Sequence, residues 1–266
     1  MIRREQDESA GPLGGPPVEM ERVVEHDHGR EYVPAGARGT VVYLHGGGWA
    51  VGSVDSVDRL VRILAVEAGA RVLSVGYRLA PEHPYPAGLE DAEAALRWAH
   101  ERFGEPLAVA GDSAGANLAT VAARRAGVPL ALQALFYPVC DLGLDTPSYR
   151  EFGAGGFRLT RDDMAWFAGL YGGEAADPDV SPLRASPEAL RGSPPAYVIT
   201  CSHDVLRDEG EAYAARLREA GVEAELVRWP GMVHGFLRWP AVVDAARDGL
   251  REAGARLRAA LLSAAR

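Results

Sequence analysis

Short apolar runs alternate along the chain with longer segments in which apolar residues recur every three or four positions. Residues 40–45 (TVVYLH), 71–75 and 107–111 are nearly continuous apolar runs, as strands buried on both faces require. The segment 55–68 shows helical spacing after an aspartate that can cap its first turn. Its apolar positions are Val57, Leu60, Val61, Leu64 and Ala65. Repeated alternation of this kind predicts an α/β fold with a mostly parallel sheet and helices on both of its faces.

The same patterns predict elements along most of the chain. Short edge strands are expected between Glu19 and Ala35. Further strands are predicted at 131–137, 196–201 and 223–229, and further helices at 88–103, 114–125, 161–171, 207–220 and 241–262. We therefore expect residues 19–266 to form a single domain of this class.

Two segments break the alternation. Residues 1–18 are polar and rich in Gly and Pro, and they predict a flexible tail because they offer too little apolar surface to offset the entropy of ordering. Residues 138–194 are also rich in Pro and Gly, with one clear helix, and indicate a cap-like insertion over a site. Large apolar side chains in this insertion could line a cleft or form the buried face of its helix. They are Phe152, Phe157, Met164, Trp166, Phe167 and Tyr171.

Charge and cysteine content narrow the possible functions. The chain of 266 residues has a formal charge of −9, all 28 of its basic residues are Arg, and no run of Arg exceeds two. A net negative surface repels phosphate backbones, so we expect a small-molecule partner rather than nucleic acid. Two cysteines are too few for a disulfide scaffold, and the sequence contains neither a signal-peptide core nor about 18 consecutive apolar residues. These features predict a cytoplasmic protein with no membrane contact, and a homodimer is left open.

The pentapeptide Gly111-Asp112-Ser113-Ala114-Gly115 lies between a predicted strand and a predicted helix. At such a turn, G-x-S-x-G forms a nucleophile elbow, in which small neighbours let the serine adopt a strained conformation with its hydroxyl above the sheet. The helix that follows directs backbone N–H groups and its positive dipole end to the same place. Ser113 is therefore the candidate nucleophile, and the alternative is a helix-capping serine.

A second glycine-rich segment, His45-Gly46-Gly47-Gly48-Trp49, follows the first buried strand. Glycines cost stability in regular elements, so three in a row are expected where the backbone must bend or approach a ligand closely. In an α/β-hydrolase this loop and the residue after the nucleophile donate N–H groups to an oxyanion. The candidate donors are Gly47, Gly48 and Ala114.

A serine nucleophile needs a base within hydrogen-bond distance, and the base needs a partner that fixes its tautomer. Asp204 and His234 each follow a predicted strand, so both are expected at the carboxyl edge of the sheet, where Ser113 also lies. Asp208 is an alternative acid, although its position at the start of a helix favours capping. Structural roles are expected for His45 and Asp112, and His203 is expected to be either solvent-facing or structural.

Six segments, taken together, resemble the hormone-sensitive-lipase-like carboxylesterases, a branch of the α/β-hydrolase superfamily. They are HGGGW (45–49), YRLAPEHPYPA (77–87), GDSAGANLA (111–119), SPL (181–183), HDVLRDEG (203–210) and HGF (234–236). The resemblance extends from about Val41 to Phe236. It implies a triad of Ser113, Asp204 and His234 that hydrolyses short- to medium-chain acyl esters, with no metal or organic cofactor.

The N-terminal region and two related classes of protein leave alternatives. Members of the family carry a longer section than the 44 residues that precede His45, which predicts a reduced cap over the acyl pocket. Kynurenine formamidases resemble this chain in size and in an HGG-W loop, but the segments 77–87 and LRDEG favour the esterases. Gibberellin receptors resemble the family and bind without hydrolysis, but there the catalytic histidine is replaced, whereas His234 is present here. Lactonase and other acyl-transfer activities stay open.

Overall fold

A computed structural model describes residues 15–16, 18–104 and 106–266 of the chain. In this part of the chain, eight strands form one sheet. The strands are β1 (Arg22–His26), β2 (Gly29–Val33), β3 (Thr40–Leu44), β4 (Arg71–Val75), β5 (Leu107–Asp112), β6 (Gln133–Phe136), β7 (Ala196–His203) and β8 (Ala224–Val233). Their order across the sheet is β1-β2-β4-β3-β5-β6-β7-β8. Pairing is antiparallel for β1 with β2 and for β2 with β4, and parallel from β4 to β8, which confirms the predicted fold class.

Helices cover both faces of the sheet. They are α1 (Asp58–Ala68), α2 (Ala87–Phe103), α3 (Ala114–Arg125), α4 (Pro147–Phe152), α5 (Arg161–Tyr171), α6 (Pro187–Leu190), α7 (Arg207–Glu219) and α8 (Asp244–Ala264). Single 3₁₀ turns lie at Asp55–Val57, Pro182–Arg184 and Phe236–Arg238. None of the helices within the described ranges is long and apolar enough to span a membrane. The predicted N-terminal tail falls almost entirely outside the described residues.

The core lies in two layers because successive side chains of a strand point to opposite faces. Val42 and Leu44 of β3 pack in the layer that contains α2, α3 and α7. Val41 and Tyr43 pack in the other layer, against α1 and α8. Every residue of β3 is buried, as expected for a strand covered by helices on both sides.

The observed elements differ from the predicted ones at the end of one strand and at two short helices. Strand β8 extends to Val233, beyond the predicted end at 229, because it continues to pair with β7 across an irregularity between Cys201 and His203. Helices α4 and α6 were missed because six and four residues are too few to show a periodicity. Both begin with proline directly after Thr146 or Ser186, a signal of a helix start that could have revealed them.

Candidate active site

Ser113 lies at the turn between β5 and α3 and has a strained backbone conformation. Its φ of 57° and ψ of −122° are unusual for a residue with a side chain. The neighbouring glycines make the turn possible, because a Cβ on Gly111 would lie 2.5 Å from backbone atoms of Gly115, and one on Gly115 would lie 2.0 Å from the Leu44 carbonyl oxygen. The predicted elbow is therefore present in the fold.

Asp204 and His234 lie beside Ser113, as the sequence predicted. The Nε2 atom of His234 is 2.9 Å from Ser113 Oγ, and its Nδ1 atom is 2.8 Å from Asp204 Oδ2. All three residues are buried, and Asp204 is only 1% exposed. The remaining Asp204 oxygen, Oδ1, accepts a hydrogen bond from the Leu206 N–H at 3.0 Å, which helps to hold the carboxylate in place.

Asp208, the alternative acid, faces another part of the fold. Its Oδ2 atom accepts a hydrogen bond from the Ser148 N–H at 2.8 Å, near the start of α4. Its Oδ1 atom accepts from the Arg207 Nε at 2.8 Å. Asp208 does cap a helix, as expected, but the helix is α4 and not α7, to which Asp208 itself belongs. Only the tertiary structure brings these two helix starts together.

Of the three candidate oxyanion donors, Gly47 and Gly48 line the cavity, and Ala114 is buried directly after Ser113. Gly47 and Gly48 have φ values of 139° and 56°, which favour glycine, and they line the same cavity as Ser113. Ala114 is the first residue of α3, so its N–H group has no partner inside the helix. Among the described residues, the N–H groups of Gly47, Gly48 and Ala114 donate no hydrogen bond. These groups are therefore available to an oxyanion.

Asp112 has the structural role that the sequence predicted, and its partners include one that sequence reasoning missed. Its Oδ1 atom accepts hydrogen bonds from the Gly46 N–H at 2.8 Å and from the Tyr43 hydroxyl at 2.9 Å. Its Oδ2 atom is paired with Arg238, whose Nη2 atom lies 2.8 Å away. Arg238 also donates to the Gly46 carbonyl oxygen at 3.1 Å. Arg238 thus ties the glycine loop and the elbow to the segment that follows His234.

His45 contacts the glycine loop that follows β3. Its Nδ1 atom is 3.0 Å from the Gly46 carbonyl oxygen, and its ring stacks on Tyr77 at a centroid distance of 4.3 Å. The Tyr77 hydroxyl donates to the His45 carbonyl oxygen at 2.7 Å. Burial lowers the pKa of His45 to about 4, and the nearby Arg238 charge adds to this effect. His45 is therefore neutral at neutral pH, consistent with the structural role expected for it.

Glu209, within the segment 203–210, is a second residue that sequence reasoning missed. It is fully buried, and its Oε1 atom accepts hydrogen bonds from the N–H groups of Cys140, at 2.7 Å, and Asp141, at 3.2 Å. Burial raises the pKa of Glu209 well above its usual range. These bonds fix the start of the insertion, where Val139 lines the cavity above Ser113.

A cavity of about 480 Å³ lies over Ser113 and His234, and the insertion forms part of its wall. Met164, Trp166 and Phe167 on α5 line it, so some of the six candidates of the insertion line the cavity, as the sequence indicated. The other three candidates lie elsewhere. Phe152 and Phe157 pack around His203, and Tyr171 is buried and stacks on Trp49 at a centroid distance of 4.3 Å.

Comparisons with known proteins agree with this fold. A family model described as an alpha/beta hydrolase fold matches residues 41–238. The carboxylesterase NlhH of Mycobacterium tuberculosis is 46% identical over 235 residues, which cover 83% of this chain and 73% of that protein. An ethyl acetate hydrolase of Pseudomonas putida is 39% identical over 231 residues, covering 82% of this chain and 72% of that protein.

Solved structures of esterases have the same fold. The thermostable carboxylesterase EstE1, cloned from a metagenomic library, has a TM-score of 0.91 at 38% identity, covering 98% of this chain and 96% of that chain. A Pyrobaculum calidifontis esterase has a TM-score of 0.90 at 37% identity, covering 100% of this chain and 93% of that chain. The chain therefore belongs to the α/β-hydrolase family, within the carboxylesterase branch that its motifs resemble. It is a carboxylic ester hydrolase.

Proposed function

We propose that the chain hydrolyses short- to medium-chain acyl esters through an acyl-enzyme intermediate, with Ser113 as nucleophile, His234 as base and Asp204 as the acid that orients the base. The observation that carries this proposal is the 2.9 Å contact between Ser113 Oγ and His234 Nε2. A serine hydroxyl is a weak nucleophile until a base removes its proton, and this distance is within the range for such a transfer.

In the first half of the reaction, Ser113 Oγ attacks the ester carbonyl carbon and His234 Nε2 takes the hydroxyl proton. Asp204 accepts the hydrogen bond from Nδ1–H, so the tautomer with a free Nε2 is favoured and the imidazolium that forms is stabilised. The developing oxyanion accepts hydrogen bonds from the N–H groups of Gly47, Gly48 and Ala114. His234 then gives its proton to the departing alkoxide, which leaves Ser113 acylated.

In the second half, His234 takes a proton from water as the water attacks the acyl carbonyl carbon. Collapse of the tetrahedral intermediate breaks the bond to Ser113 Oγ, which takes the proton back from His234, and the carboxylic acid leaves. The cavity of about 480 Å³ is large enough for a small ester, in line with the preference for short to medium acyl chains.

A covalent label tests the assignment of the nucleophile. The chain is treated with a fluorophosphonate, digested and mapped by mass spectrometry, with the Ser113→Ala variant as control. We expect the adduct on Ser113 in the unmodified chain, with loss of hydrolysis of 4-nitrophenyl acetate in step with labelling. Ser181, whose buried Oγ accepts from the Leu142 N–H at 3.0 Å, provides an internal comparison. Label on Ser181 or Ser53, or no label at all, would contradict the proposal.

A further inference from the structure

Arg158 lines the cavity over Ser113 and lies beside the loop that carries His234. It has a φ of 72°, in the stretch between α4 and α5. Its guanidinium lies over the Trp239 ring, 4.7 Å from the centroid. Its Nε atom lies 3.4 Å from the position that a Cβ on Gly235 would occupy. These contacts place the cation on the His234 side of the cavity.

The Arg158 guanidinium lacks an anionic partner in the part of the chain that the structure describes. No carboxylate lies within ion-pair distance of it, and no oxygen of these residues accepts a hydrogen bond from it. The other charged residues that line the cavity are already occupied: Arg238 and Asp112 pair with each other, and the Asp163 carboxylate accepts from Thr160 at the start of α5. Partial desolvation of the guanidinium, together with repulsion from Arg238, lowers the pKa of Arg158, although the residue as a whole is exposed. An anion bound beside it would stabilise the guanidinium.

The two sides of the cavity differ in polarity. On the side of the glycine loop the wall is apolar, because Phe167 lies so close to Gly48 that a Cβ there would be 2.2 Å from its ring. On the His234 side the wall carries Arg158. In the proposed mechanism His234 protonates the departing alkoxide, so the alcohol portion of the ester lies on the His234 side.

We infer that Arg158 binds a carboxylate carried by the alcohol portion of the substrate, so that the preferred substrates are O-acyl esters of hydroxy carboxylic acids. This inference rests on the proposed function, from which the orientation of the ester is taken. A planar guanidinium can donate two parallel hydrogen bonds to a carboxylate, and such charge-assisted pairs contribute roughly tenfold to hundredfold in affinity when partly shielded from water. The chemistry of hydrolysis is unchanged, and the products are the free acid and the hydroxy carboxylate.

The test compares two aryl acetates that differ only in charge, 4-acetoxybenzoate and 4-acetoxybenzamide. The quantity measured is the ratio of their kcat/KM values. In this ratio, any effect of a substitution on the catalytic steps common to both substrates cancels. We expect Arg158→Gln to lower the benzoate-to-benzamide ratio by about tenfold or more, mainly through KM, and Arg158→Lys to lower it less. Arg251→Gln is the matched control, because it removes the same charge from an exposed pair with Asp248 on α8 and should leave the ratio unchanged. Raising NaCl should reduce the ratio of the unmodified chain but not that of Arg158→Gln.

A second pair of substrates moves the carboxylate to the acyl portion, as the 4-nitrophenyl monoester of adipate and its primary amide. A ratio that responds to Arg158→Gln only in this second pair would overturn the assignment to the alcohol portion. An unchanged ratio in both pairs, with Ser113-dependent hydrolysis of 4-acetoxybenzamide intact, would overturn the role of Arg158 and leave the proposed function in place. Hydrolysis that persists in Ser113→Ala would overturn the proposed function instead. In that case, calorimetric binding of 4-hydroxybenzoate that is weakened by Arg158→Gln would still support a carboxylate site at Arg158, and equal binding would overturn it.

Discussion

The buried Asp112 carboxylate and the partly buried Arg238 guanidinium form an ion pair across 126 positions of sequence, with Oδ2 accepting from Nε at 2.9 Å and from Nη2 at 2.8 Å. Burial by itself would lower the pKa of Arg238, but the attraction of Asp112 keeps it above the usual range. The pair connects the elbow residue before Ser113 to the segment after His234. It therefore fixes two loops of the candidate triad relative to each other.

We expect Arg238→Met to lower the free energy of unfolding by about 3 to 5 kcal/mol, because it leaves the Asp112 charge buried without its partner. Urea denaturation measures this change. The double variant Asp112→Asn/Arg238→Met serves as the control, since it removes both charges and should cost less than the sum of the single variants. Strictly additive losses would contradict a direct coupling between these two residues.

The three triad candidates should act as a unit. We expect Ser113→Ala and His234→Ala each to lower kcat by about 10⁴ or more, and the double variant to be scarcely worse than either. Steady-state kinetics on 4-nitrophenyl acetate measures the losses, and circular dichroism checks that the variants stay folded. Losses that multiply in the double variant would argue against a shared step.

Substitutions at the two aspartates of the segment 203–210, Asp204 and Asp208, should affect different properties of the protein. Asp204→Asn removes the carboxylate that faces His234 Nδ1. It should lower kcat strongly, with only a small loss in the free energy of unfolding. Asp208→Asn removes the charge but leaves an amide oxygen that can still accept from the Ser148 N–H, so it should cost less stability than the roughly 0.5–2 kcal/mol lost with a whole helix cap, with a smaller effect on kcat. Kinetics and urea denaturation on the same two variants provide the comparison. The opposite order of kcat losses would exchange their roles.

His45 should make stability depend on pH in a defined range. Its pKa of about 4 in the folded chain lies below its usual value near 6.5, so the unfolded chain binds the proton first as the pH falls. The free energy of unfolding should therefore fall between about pH 6.5 and pH 4, by about 3 kcal/mol from this group. His45→Asn, whose amide can still donate to the Gly46 carbonyl oxygen, should show a slope smaller by up to about 1.4 kcal/mol per pH unit. Parallel curves for the two proteins would contradict the assignment.

Selectivity for acyl-chain length should be shallow. Trp166, on the wall of the cavity, is 49% exposed, so an acyl chain beside it stays partly in contact with water. We expect kcat/KM for 4-nitrophenyl esters to rise less than about fourfold per two added methylenes and to fall again for long chains. Full burial would give about 1.6 kcal/mol, or roughly fifteenfold, over the same two methylenes. A slope near that larger value would show that the cavity closes around the chain.

The fold class and the candidate triad could both be predicted from the amino-acid sequence, because both depend on local patterns. Continuous apolar runs specify buried strands, and each candidate triad residue lies within a few positions of a strand end. Ser113, for example, directly follows β5. Parallel strands bring those ends to one edge, so the meeting of Ser113 with Asp204 and His234 followed from the order of the motifs.

Other features depend on contacts between distant segments, so they could not be predicted before the folded chain was described. Arg238 gives no local signal that it pairs with Asp112, and Asp208 gives none that it serves α4 rather than α7. In the same way, composition showed that the insertion is rich in aromatic residues but not which of them line the cavity. Phe167 reaches the glycine loop whereas Phe157 packs on His203, because an irregular segment follows a path set by long-range packing and not by a repeat in its own residues.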